Sequence, residues 1–119
     1  MKKLFILSFT LFSFTLVSAQ DGSDKKIIET SFEVQGVCKM CKERIETAAM
    51  RTKGVKLAEW NKETKQLKVV YKNNKTTEAE IQESIANHGH ETPSVPADSS
   101  AYTKLPNCCR YKDGAKCGN

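Results

Sequence analysis

Between residues 27 and 50 the spacing of apolar side chains changes from two to three and four, and two cysteines sit at the change. Ile28, Phe32 and Val34 alternate with polar neighbours, which is the pattern of a half-buried strand. Ile45, Ala48 and Ala49 then follow i, i+3, i+4 spacing within Cys41–Met50, the pattern of an amphipathic helix. Lys42, Glu43, Glu46 and Thr47 supply its polar face, and Gly54 follows its end. The segment Gly36-Val37-Cys38-Lys39-Met40-Cys41 joins the two. A spacing of three at the start of a helix lets both sulfurs face one point, and backbone N–H groups there favour thiolate. Two thiolates suit a soft ion, Cu(I) first, and also Zn(II), Hg(II) or another thiophilic metal.

The rest of the chain completes a small domain. Val55–Asn61 and Gln66–Tyr71 read as two strands of a hairpin, joined by the polar turn Lys62-Glu63-Thr64-Lys65. Thr77-Glu78-Ala79-Glu80 has the capping-box form and opens a second helix with Ile81 and Ile85 on its buried face. Asn87-His88-Gly89 ends it, and His90–Thr92 is expected as a short last strand before Pro93. The order βαββαβ predicts an α+β ferredoxin-like sandwich, an antiparallel sheet with both helices on one face. Trp60 is expected in its core.

The ends carry different signals. Lys2 and Lys3, the apolar run Leu4–Val17 and the small residues Val17-Ser18-Ala19 read as a signal peptide over 1–19. Cleavage after Ala19 is expected, giving a periplasmic or secreted protein with no further membrane span. Its formal charge falls from +5 to +3 with the loss of those two lysines. The charges are dispersed, without an arginine run or interleaved aromatics, which argues against nucleic acid. Residues 20–26 read as a flexible lead-in, 27–93 as the domain, and 94–119 as a cysteine-containing tail with a linker-like start.

All five cysteines, Cys38, Cys41, Cys108, Cys109 and Cys117, lie beyond the signal. An odd count fits a pure disulfide scaffold poorly. For the tail cysteines a disulfide such as Cys109 to Cys117 stands against a second thiolate cluster, or an arm that completes the first site. His90 is either a surface or half-packed imidazole at a strand start, or a third ligand, since the loop before a last strand would lie beside the loop after the first. His88 is expected at the solvated end of the second helix.

Residues 27–93 resemble the heavy-metal-associated domain. The likeness rests on Gly36-x-Cys38-x-x-Cys41, Arg44-Ile45-Glu46, Gly54-Val55, Asn61, the hairpin, Ile81, Ile85 and Gly89. It implies the ferredoxin-like fold, metal binding through Cys38 and Cys41, no catalysis, and transfer to a metal-transport protein or metal-transporting ATPase from a monomer. The loop departs from the family pattern: Gly36-Val37 runs directly into Cys38, one residue short of the usual Gly-Met-Thr-Cys, and His90 follows Gly89 where many members carry tyrosine. Leu105-Pro106-Asn107-Cys108-Cys109 resembles a Cys-Cys feature of exported relatives. The rival readings are a small thiol–disulfide oxidoreductase with Cys38 as nucleophile, and a structural zinc module closed by two tail cysteines.

Overall fold

The computed structural model describes residues 26–114. Strand β1, Ile27–Glu33, is followed by helix α1, Lys39–Met50, and then by the hairpin of β2, Val55–Trp60, and β3, Gln66–Lys72. Helix α2, Glu78–Asn87, a short helix α3, Ser99–Thr103, and two 3-10 turns, Asn107–Cys109 and Tyr111–Asp113, complete the order. The sheet is antiparallel with order β1-β3-β2. Register sets Phe32, Leu67 and Trp60 side by side in one row, and Thr30, Val69 and Ala58 in the next. These rows form the buried face against α1 and α2, which supply Ile45, Ala48, Ala49, Ile81 and Ile85. The three-stranded antiparallel sheet with α1 and α2 on one face is consistent with the ferredoxin-like sandwich expected from the sequence, save for its last strand.

Local chemistry fixes the element ends. The Thr77 hydroxyl caps α2 by accepting from the Glu80 N–H at 3.2 Å. The Glu80 carboxylate accepts from the Thr76 hydroxyl at 2.8 Å, so the box is shifted by one residue on its acidic side. Ser84 donates to the Ala48 carbonyl at 2.8 Å and ties α2 to α1. Gly54 ends the turn before β2 at φ 100°, where a Cβ would sit 2.4 Å from that of Lys75.

Two expectations differ from the structure. Residues 90–92 do not form a strand. They keep one strand-like bond, Gln35 N–H to the Glu91 carbonyl at 3.0 Å. The Glu91 N–H instead donates to the Tyr111 hydroxyl at 2.9 Å, so a side chain from the tail takes a donor that a ladder would use. The stretch expected as a linker is also ordered against the domain. Asp98 caps α3 through its side chain and donates its own N–H to the Ala86 carbonyl at 2.9 Å. Leu105 and Cys109 are buried in the same core as Ile45 and Trp60. The signal segment, most of the lead-in, and Cys117 lie outside the described residues. No helix among the described residues is long and apolar enough to cross a membrane.

Candidate metal centre

Cys38 is the N-cap of α1, with extended φ and ψ of −149° and −177°, and Cys41 lies in the first turn. The helix thus begins two residues earlier than the apolar spacing alone indicates. The loop is seated on Trp60. Its indole N–H lies 3.0 Å from the Val34 carbonyl and 3.2 Å from that of Lys65, and donates to both. The ring passes under Gly36, where a Cβ would lie 3.0 Å from the Cys41 Cβ and 3.1 Å from the ring. The Lys65 ammonium donates to the Gly36 carbonyl at 2.6 Å and holds the loop from the other side. Glu46 accepts the Trp60 N–H at 2.8 Å, which locks α1 to the end of β2.

A two-cysteine site on a surface loop is expected to stay open. Here both cysteines are buried, Cys38 at 4% exposure and Cys41 at 0%, because the tail lies over them. Cys38 Sγ lies 3.8 Å from the Cys108 carbonyl oxygen, and the Cys41 thiol faces the Cys109 carbonyl at 4.0 Å. Cys108 Sγ and Cys109 Sγ are 3.9 Å apart, and Cys108 Sγ is 3.4 Å from Met40 Sδ. The sulfurs of Cys38, Cys108 and Cys109 all lie within 4.8 Å of one another. Cys38 is disulfide-bonded, while Cys41 and Cys109 are free thiols. Cys109 thus keeps its thiol, and Cys117, its expected partner, lies outside the described residues. Burial first, then the Cys41 and Cys108 sulfurs, pushes the Cys109 thiol up to about 12. Without a metal it stays protonated, which makes it a poor nucleophile.

His90 is neither exposed nor half-packed: it is wholly buried. Its Nδ1 donates to the Gln35 carbonyl at 2.8 Å, which fixes the tautomer and leaves a lone pair on Nε2. That Nε2 is buried without a hydrogen-bond partner. The bond to Gln35 brings the residues after β1 and those before Glu91 together as expected, but His90 is not part of the close sulfur group. Its ring stacks on Tyr111 at 5.6 Å. Burial lowers its pKa to about 4, against a smaller opposite effect of the Gln35 bond, and the Arg44 and His88 charges lower it further. His88 caps the end of α2, with Nδ1 donating to the Ser84 carbonyl and the Arg51 guanidinium donating to Nε2 at 3.3 Å. Tyr111 gives no periodic signal in the sequence, yet it pins the tail: its hydroxyl donates to the Gly89 carbonyl at 2.8 Å while accepting from Glu91. Burial raises its pKa to about 12, so the hydroxyl keeps its proton near neutral pH.

Residues 31–91 match the heavy-metal-associated domain. The chain belongs to that family. Its solved structural neighbours include the CopZ metallochaperone, at 27% identity and TM-score 0.53, over 55% of this chain and 98% of that one. A copper binding domain from the P-type ATPase HMA7 is 29% identical at TM-score 0.52, over 54% of this chain and 88% of that one. The water soluble region of P-type ATPase CopA from Bacillus subtilis is 33% identical at TM-score 0.53. That match covers 57% of this chain and 46% of the CopA chain. No curated protein sequence matches significantly. As a heavy-metal-associated domain with a cysteine cluster, the chain is a metal-binding module of the metallochaperone type.

Proposed function

We propose that this protein is an exported carrier of a soft metal ion, Cu(I) foremost, which it binds through Cys38 and Cys41 and passes to a metal-transport protein or transporting ATPase. The observation that carries this reading is the placement of the two cysteines across the start of α1, seated on Trp60, within a domain of this family. The copper named for the HMA7 domain supports the choice of ion. Transfer proceeds by ligand exchange: a cysteine of the partner attacks the ion, and each new metal–sulfur bond replaces one to this chain. No catalytic step is needed. The export part rests on Lys2, Lys3 and the run that ends at Ala19.

The test is Cu(I) binding by the reduced full chain in competition with a chromophoric chelator. One Cu(I) should bind tightly, and the double variant Cys38→Ser/Cys41→Ser should lose it while keeping the far-UV circular dichroism of the parent. Retained affinity in that variant would remove these residues from the site. The tail cysteines beside the loop also favour a second reading, a structural zinc module. Chelator treatment separates the two, because structural zinc supplies folding energy and its removal unfolds the domain.

A further inference from the structure

The loop cysteines have company that the family's two-cysteine motif does not require. Three sulfurs, from Cys38, Cys108 and Cys109, converge within 4.8 Å although 70 residues separate Cys38 from Cys108. A metal–sulfur bond of about 2.3 Å puts the sulfurs of a trigonal site about 4 Å apart. The Cys108–Cys109 separation of 3.9 Å already has that value. Met40 adds a thioether sulfur 3.4 Å from Cys108, on the exposed side of the cluster.

The cluster is built rather than casual. Neighbouring cysteines on a 3-10 turn would be free to point anywhere on a loose arm. Here the turn is clamped from both sides. Arg110 donates to the Leu105 and Thr103 carbonyls at 3.1 and 2.8 Å. Tyr111 bridges Gly89 and Glu91, and the Tyr102 hydroxyl accepts the Lys112 N–H at 3.0 Å. Leu105 sits in the core beneath. Gly89 provides the seat for α3: at φ 96°, a Cβ there would lie 3.1 Å from the Ala101 backbone. Little conformational freedom is then left in the Cys108–Cys109 turn for a metal to remove on binding, which is what preorganisation contributes to affinity, whereas Cys38, disulfide-bonded in this structure, becomes a ligand only on reduction.

We infer that Cys108 and Cys109 are ligands in their own right, and that in the reduced chain they join Cys38 to give a thiophilic ion a coordination shell of at least three sulfurs. This rests on the proposal that the ion is held at the Cys38–Cys41 loop, and it changes what that loop can do. A two-sulfur site offers open positions to an incoming thiol, whereas a site with three sulfurs holds its ion closed until the tail withdraws.

The probe is Cu(I) alone, added at one equivalent to the full chain after reduction with a phosphine. X-ray absorption should report a mean of three or more sulfur neighbours. In Cys108→Ala/Cys109→Ala it should fall to two, with affinity against a chromophoric chelator weakened at least tenfold. Cys109 is buried, so proton NMR checks that the variant is folded. Cys108→Ser, at the half-buried position, gives an independent measure, with an expected loss of at least threefold. Parent-like affinity and coordination in both variants would overturn the inference. If, in that case, Cys38→Ser/Cys41→Ser still abolishes binding, the loop proposal stands and the tail ligands alone are withdrawn. If the reduced parent binds no Cu(I), both fall.

Discussion

The imidazole of His90 is held neutral by its surroundings, and its proton has a consequence for stability. In an unfolded chain it would titrate near 6.5; in the fold its pKa is about 4. Between those values the unfolded state binds the extra proton and the folded state refuses it. Stability is therefore full above pH 6.5 and declines as pH falls toward 4. The loss approaches about 3 kcal/mol, the worth of a shift of that size. Urea unfolding across that range should show it, and His90→Gln should flatten the slope. A parent curve without the slope would mean that the imidazole is hydrated in solution. Gly36 presents a second residue-scale case. Its backbone needs no glycine, but the space does, with Cys41 and Trp60 both close to any added Cβ. Gly36→Ala should destabilise by about 1–3 kcal/mol, as overpacking does, and shift the Trp60 fluorescence. Spacing at a strand-to-helix change singles out Cys38 and Cys41 in the sequence, and Trp60 is buried in the core as expected of it. Tyr111 is not legible in this way: its role depends on a hydroxyl meeting Gly89 and Glu91, which lie more than 15 residues away.

Among the elements, the ones announced by a period are found within two residues of where the period puts them. β1, α1, the β2–β3 hairpin and α2 each repeat their pattern over six residues or more, and Thr77 marks a helix start by its chemistry. The exceptions have physical reasons. The fourth strand fails because its donor at Glu91 is taken by Tyr111. Helix α3 has five residues, too few to display a repeat, and it is stabilised by docking and by the Asp98 cap rather than by its own propensity. Composition around it, rich in Ser, Pro and Ala, describes a linker equally well. The burial of Leu105 decides between them, and it gives the third prediction. Leu105→Ala should cost about 2–5 kcal/mol, the range for emptying a buried leucine site. An exposed residue on a loose tail would cost almost nothing, so thermal melts of this one variant separate the two pictures.

For the whole molecule, the tail converts an open loop into a covered one. The cover is held by the Asp98–Ala86 and Tyr111–Gly89 bonds, by the seating of α3 on Gly89, and by Leu105 in the core. Gly89→Ala should loosen it, because the added methyl meets the Ala101 backbone at a φ that side chains rarely adopt. Faster thiol alkylation of Cys109 in that variant would report the loosening, and an unchanged rate would show that the seat yields without opening. Under the proposed transfer to a thiol acceptor, a buried donor makes delivery a two-step affair. The acceptor waits for the cover to lift, so the delivery rate should rise with acceptor concentration only to a plateau set by the lifting itself. Such a carrier would keep its own time: crowding it with acceptors would not hurry the ion away.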